Sequence, residues 1–478
     1  MTYAFTFDAS ACTGCKACVE ACKDKNNLPV GVMWRRVIEV SGGGWNPVGA
    51  GLQDSSDSLI LAQDPPPTVW ENNVFAYNLS IACNHCEHPK CAGVCPTDAF
   101  IHRADGIVYI DSSKCMGCGY CAWACPYDAP RYNFELGQMS KCNFCFDNID
   151  AGLPPSCVAA CPMRVLNFIE VEEVKSEKLE GSSNQFSKLW EIPASEHPFP
   201  LPNNSRTEPH LMIKPHVAMG DDLEKQISNY EEIRPKRQKS ETPLVVFTLL
   251  VQMAVGAFWA AQWMVDSIPL IPYLIIGACL GLGGFFSFAH LGAKPNAWRA
   301  SFHLQKSWLS REILFFGLFG VGWLAGFVLP ETMWVTSLLG VGLIFSMAQV
   351  YRLHTMPAWD TWRTTAGFFV TAALLGQVAM MIVVGAKSGR EAFAVQAIML
   401  LLAVELAITL SAKPKAEGSV TSIRVGLSAA TLLGAGILLF ASNRLGVWIS
   451  PVLFLLIIIE EIIGRAAFYE SLVEKPLR

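Results

Sequence analysis

The sequence predicts an α+β domain organised around cysteines, followed by an all-α bundle of about eight transmembrane helices. Two observations carry that reading. Of the 17 cysteines, all but Cys279 lie between Cys12 and Cys161. From Pro243 onward, apolar runs recur at the length, about 20 residues, that crosses a hydrocarbon core. The net charge of -5 is small for 478 residues and no basic stripe interleaves with aromatics, so nucleic-acid binding has little support.

A disulfide framework suits short secreted chains. The stretch from Met1 to Cys12 has no basic n-region, apolar h-region or twin-arginine pair, so no cleavable export signal is expected. The cysteines therefore read as metal ligands in a reducing compartment. They fall into four groups of four: Cys12, Cys15, Cys18, Cys22; Cys83, Cys86, Cys91, Cys95; Cys115, Cys118, Cys121, Cys125; and Cys142, Cys145, Cys157, Cys161. The first and third groups follow C-x2-C-x2-C-x3-C. A proline comes directly after the last cysteine of the second, third and fourth groups, at Pro96, Pro126 and Pro162.

This is the bacterial ferredoxin pattern. Three closely spaced thiolates on a tight loop wrap one cubane, while the fourth cysteine turns to the neighbouring cluster. The cysteines thus predict four [4Fe-4S] clusters as two ferredoxin-like pairs. Zinc also uses C-x2-C pairs, but takes two such pairs per ion rather than three cysteines in a row and a distal fourth.

The segments CNHCEHPKCAGVCPTDAF (Cys83 to Phe100), KCMGCGYCAWACPYDAPRYN (Lys114 to Asn133) and KCNFCFDNIDAGLPPSCVAACP (Lys141 to Pro162) resemble the four-cluster subunit of dimethyl sulfoxide reductase-type molybdoenzymes. The resemblance implies a pairing. Cys12, Cys15, Cys18 and Cys161 would hold one cluster, and Cys22, Cys142, Cys145 and Cys157 the second. Cys83, Cys86, Cys91 and Cys125 would hold the third, and Cys95, Cys115, Cys118 and Cys121 the fourth. Some relatives carry tryptophan at the position of Cys118 and a three-iron cluster there; the cysteine here implies four irons. The long gap between Cys145 and Cys157 departs from simple ferredoxin spacing but is shared by the family.

Val40 to Trp70 reads as a loop inserted between the first two motifs, either a surface excursion or a docking surface for a partner. Residues 170–242 are polar and contain prolines, and read as a connector that wraps the soluble domain. The predicted organisation is a cluster domain over 1–169, this linker, and an anchor over 243–478.

Expected spans are 243–263, 269–290, 312–329, 332–351, 364–384, 391–411, 420–440 and 447–467, the third and fourth joined by a tight hairpin at Pro330 and Glu331. An even count returns the loops after the second, fourth and sixth helices to the cluster side. Arg234, Lys236, Arg237, Lys239, Lys294, Arg299, Lys306, Arg311, Arg352, Arg363, Lys413, Lys415, Arg465, Lys475 and Arg478 fall on that side, against Lys387, Arg390 and Arg444 opposite. The positive-inside rule then places the clusters on the cytoplasmic face of the inner membrane.

Haem anchors need paired axial histidines inside the bundle. Of the 9 histidines only His290 falls within an expected span, so no haem is expected and the electron donor is a quinol. A histidine at a span end is as readily an interfacial polar group as a functional one. However, HLGAKPNAWRA and SWLSREI resemble the anchor subunit of the same reductases, in which the histidine of this motif is associated with quinol, here menaquinol. That implies His290 as base or hydrogen-bond partner, with Arg299 and Arg311 as weaker pocket candidates that plain positive-inside charge also explains. Glu405, Glu460 and Glu461 suit either proton relay or interhelical hydrogen bonding.

The resemblance implies electron flow from the Cys95 cluster to the Cys12 cluster and on to a separate molybdopterin-containing catalytic subunit that reduces an S-oxide or N-oxide. A polysulfide- or tetrathionate-type complex is the alternative. A membrane redox sensor would need an output module, and none is readable.

Overall fold

The computed structural model describes residues 2–42, 45–47, 70–72, 74–171, 207–214, 216, 227–230, 242–265, 268–356, 358–384, 391–411, 418–440 and 443–470. Most of the expected loop between Val40 and Trp70 and most of the linker lie outside these residues. So do Arg234, Lys236, Arg237, Lys239, Lys387, Arg390, Lys413, Lys415, Lys475 and Arg478.

The cysteine-rich half is built from small sheets. The strand Thr2–Asp8 alternates apolar and polar residues, buries Phe5 and Phe7, and forms the centre of a three-stranded sheet. It runs antiparallel to Leu166–Val171 and parallel to Leu211–Lys214, so the stretch expected as linker supplies an edge strand to this domain. A second sheet sets Arg36–Gly42 between Phe75–Ile81 and Ile227–Tyr230. Val40 is therefore strand and not loop, and Trp45–Pro47 pairs with Trp70–Asn72 as a short ladder. Short helices Ala17–Lys25, Lys90–Gly93, Tyr120–Ala124 and Ser156–Ala159 follow the cysteine loops.

Among the described residues, eight long helices follow: α1 (Thr242–Met264), α2 (Leu270–Ala289), α3 (Trp308–Val328), α4 (Met333–Tyr351), α5 (Trp362–Val384), α6 (Glu391–Leu410), α7 (Gly418–Phe440) and α8 (Asn443–Glu470). Six of them, α1 to α6, are long and apolar enough to cross a membrane. In α7 the apolar run is the shorter Ser422–Leu438, and α8 carries Glu460, Glu461 and Arg465. Helix α3 starts at Trp308, a turn before the expected 312, which brings Arg311 and Glu312 inside the helix. A single 3-10 turn, Pro330–Thr332, makes the expected hairpin into α4.

Helices α1 and α5 meet backbone to backbone at Gly256 and Gly376, where a side chain on either would overlap the other helix. Polar side chains cross the bundle. Arg424 donates to Glu460 at 2.7 Å and to Glu405 at 3.5 Å, Thr371 donates to Glu461 at 3.0 Å, and Arg465 donates to Gln252 at 2.9 Å. Glu405, Glu460 and Glu461 come within 4.8 Å of one another. The three glutamates thus take part in interhelical bonding, one of the two roles that their sequence allows.

The two halves share one apolar core. Tyr120 and Trp123, from the helix beside Cys121, bury against Leu244, Phe247, Tyr351 and Trp359 of the bundle. The indole of Trp123 lies 5.9 Å from the rings of both Tyr351 and Trp359.

Candidate functional site

The cysteine loops need backbone bends that few residues adopt. Gly14, Gly117 and Gly119 have φ of 70°, 72° and 88°, and Lys16 and Cys145 are also left-handed, at 61° and 48°. All 17 cysteines are free.

The fold brings together thiols from distant parts of the sequence. Cys12, Cys15, Cys18 and Cys161 line one small cavity. Cys22 has Cys157 and Cys145 as electrostatic neighbours, and Cys142 has Cys22 and Cys157. Cys91 lies among Cys125, Cys83 and Cys86, and Cys121 among Cys118, Cys115 and Cys95. Further electrostatic neighbours link these groups: Cys18 with Cys157, Cys142 with Cys83, and Cys121 with Cys91.

The spacing fits iron-sulfur clusters better than single ions. Four thiolates on one zinc, each at about 2.3 Å, would draw the sulfurs to within about 3.8 Å of one another. Among the described residues no three thiols lie within 4.8 Å of one another. That wider spread suits a cluster, which brings its own irons and sulfides between the ligands. Burial pushes the Cys22 thiol up to about 12, against the pull of Arg35.

The second feature is a cavity of about 450 Å³ at the junction of the two halves. The cysteine domain contributes Met116, Cys118, Tyr120 and Trp123, and the bundle contributes His290, Trp298, Glu312 and Tyr351 among others. Most of the wall is apolar, which suits a ring system carrying a few polar groups. His290 ends α2, and its Nδ1 is 2.9 Å from the carbonyl oxygen of Ser287. A carbonyl only accepts, so Nδ1 carries a hydrogen, and in the neutral form of the ring the lone pair is on Nε2.

Glu312 is 4 % exposed and lines the same cavity. Sequence reasoning gives it no role. The available signal is an acidic residue opening an apolar span, which is costly unless used. Arg299 and Arg311 are not among the lining residues. Arg311 donates to the carbonyls of Leu304 at 2.7 Å and Gln305 at 2.8 Å and lies over Trp308, so it holds the loop entering α3. Arg299 packs over Trp298, whose own ring lines the cavity.

A seam of main-chain contacts closes the junction. The amide of Ala293 donates to the carbonyl of Met116 at 3.0 Å, and Ser307 Oγ donates to the carbonyl of Val94 at 2.9 Å. Gly292 packs directly on the backbone of Gly137, leaving no room for a side chain.

Comparison with known proteins agrees with this two-part construction. Residues 74–171 match the 4Fe-4S dicluster domain, and residues 237–460 match the DMSO reductase anchor subunit (DmsC). The protein is 41% identical over 215 residues to a subunit of the anaerobic dimethyl sulfoxide reductase of Escherichia coli, covering 45% of its own sequence and 89% of that relative. It is 39% identical over 214 residues to the corresponding subunit from Haemophilus influenzae, again over 45% of its own sequence and 89% of the relative. The thiosulfate reductase electron transfer subunit of Salmonella typhi is 32% identical over 186 residues, 38% of the present sequence and 84% of its own length. The protein therefore belongs to the family of dimethyl sulfoxide reductase iron-sulfur subunits, here continuous with the membrane anchor of the same reductases.

Proposed function

We propose that this protein oxidises menaquinol at the cavity shared by Cys118 and His290, and conducts the electrons through four [4Fe-4S] clusters to a separate molybdopterin-containing subunit that reduces an S-oxide or N-oxide. The carrying observation is that one cavity of about 450 Å³ has a cluster-loop cysteine, Cys118, and the anchor histidine, His290, in its wall. Residues 1–169 form the cluster domain, 170–242 the connector and 243–478 the anchor. Cys12, Cys15, Cys18 and Cys161 hold the first cluster, Cys22, Cys142, Cys145 and Cys157 the second, Cys83, Cys86, Cys91 and Cys125 the third, and Cys95, Cys115, Cys118 and Cys121 the fourth. Bound clusters supply one-electron redox steps.

The protein's own residues handle the protons. Oxidation of a quinol breaks two O–H bonds and releases two protons and two electrons. Nε2 of His290 accepts one hydroxyl proton while Nδ1–H stays on Ser287, and the Glu312 carboxyl group stands in the same wall to relay the second. Tyr120 and Trp123 cover the cavity from the cluster side and keep the exchange away from bulk water. Arg299 and Arg311 shape the loop rather than touch the quinol.

We also read all eight helices as membrane crossings. Arg424 on α7 offsets Glu460 on α8, which lowers the cost of both charges in the bundle. Positive charge on the loops after α2 and α4 supports a cytoplasmic cluster domain. The likeness to a thiosulfate reductase subunit supports a second reading, reduction of an inorganic sulfur compound by the catalytic partner.

Detergent purification of the native complex tests this. Four cubanes give about sixteen irons from this protein, accompanied by molybdenum or tungsten in a large partner, and menaquinol reduces the clusters. Assay of the complex on dimethyl sulfoxide, trimethylamine N-oxide, thiosulfate and tetrathionate separates the two substrate readings. Full iron with no such metal and no large partner sinks the reductase assignment.

A further inference from the structure

Among the described residues, two buried cations stand between the cysteine quartets. Arg35 is 2 % exposed. Its Nη1 donates to Ser80 Oγ at 3.1 Å, and that hydroxyl is 3.4 Å from Cys18 Sγ. Its guanidinium lies over Phe5, and its charge acts on Cys157, Cys142, Cys18 and Cys22, members of the first and second quartets. A guanidinium is always charged and all its nitrogens donate. Nη2 is nevertheless buried with no acceptor among the described protein atoms, which leaves a donor for a bound group beside those thiols.

Lys141 is 3 % exposed. Its Nζ donates to Cys83 Sγ at 3.2 Å, to the carbonyl of Cys142 at 3.2 Å and to the carbonyl of Val108. All three partners accept, which uses the three hydrogens of an ammonium group. Cys83 belongs to the third quartet and Cys142 to the second. Each cation thus sits at a junction between successive quartets.

Burying an ammonium or guanidinium is costly, and an apolar side chain of the same volume would fill the space at less cost if packing were its purpose. We infer that Arg35 and Lys141 are tuning residues of the electron path, fixed positive charges that favour the reduced state of the clusters on either side and offset the repulsion between two reduced neighbours. This rests on the cluster assignment proposed above. An electron arriving from quinol adds one negative charge beside these cations and neither makes nor breaks a bond. In a low-dielectric interior that charge is felt strongly.

The test uses the complete protein in its native complex, with Lys141→Met and Arg35→Met to remove charge at similar volume, and Lys141→Arg and Arg35→Lys to keep it. Iron content is measured first, then the cluster potentials by redox titration followed by electron paramagnetic resonance. With iron intact, each Met variant is expected to lower the reduced-to-oxidised ratio of the adjoining clusters at a fixed potential about tenfold, about 59 mV for one electron. Magnetic coupling between reduced neighbours weakens with it, and the charge-keeping variants restore both. Unmoved potentials at full iron content overturn the inference, as does an equal loss in the charge-keeping variants. Loss of iron from both Met variants overturns it too, in favour of a purely structural role. If only one loses iron, the other decides. A wild-type protein short of iron instead refutes the cluster assignment itself.

Discussion

The side-chain amide of Asn296, in the turn after α2, donates to the carbonyl of Cys115 at 3.0 Å. One hydrogen bond thus ties the loop that follows the anchor histidine to the loop that carries Cys118. The wall of the cavity and the nearest cysteine quartet are held as one piece, and the consequences can be measured.

Gly292 packs against the backbone of Gly137 in the same seam. Gly292→Val should push the two loops apart and leave the cysteine quartets intact. We expect full iron content, and reduction of the clusters by menaquinol slowed about a hundredfold, the scale of a misplacement of about 1 Å. Stopped-flow absorbance reads the rate; an unaltered rate would mean that the seam does not set the transfer distance.

Replacing His290 with alanine removes the lone pair on Nε2 from the cavity. Quinol-driven cluster reduction should fall about 100-fold or more, the ordinary contribution of a positioned base, while reduction by dithionite is unchanged. Glu312→Gln keeps shape and loses the second proton-carrying group, and should slow the same step. If Glu312→Gln matches wild type, the second proton leaves by another group.

Cys118→Ser should leave about fifteen irons in place of about sixteen, with a three-iron signal by electron paramagnetic resonance. Metal analysis of the purified protein checks this directly. About sixteen irons in the variant would place Cys118 outside the ligand set.

Arg424→Leu leaves Glu460 and Glu405 in the bundle without their arginine. Breaking a buried pair in this way costs about 3–5 kcal/mol, so the variant should melt well below the parent in detergent. Adding Glu460→Leu should recover much of the loss. A double variant no better than the single would show that the arginine supports packing and not charge.

How much of this is legible in the sequence follows from which forces are local. Cysteine spacing is a local signal, because a ligand loop must bend within a few residues, and it marks the groups at once. The long apolar runs mark the helices within a turn or so, the largest differences being at the starts of α3 and α8, each four residues earlier than expected. Hidden from the sequence are features made by distant segments meeting. The strand Leu211–Lys214 reads as linker until Thr2–Asp8 offers it an edge. Glu312 and Trp123 acquire meaning only when the two halves close on one cavity. Arg299 and Arg311 read as pocket candidates from the anchor resemblance, yet Arg311 is held by local carbonyls and Arg299 packs over Trp298.

The cavity takes one wall from each half of the polypeptide. Until the cysteine loops have folded and settled on the bundle, the cavity has only one of its two walls. Neither part can therefore form the cavity alone: it exists only in a polypeptide whose two halves have both folded and docked, and so it reports on their union.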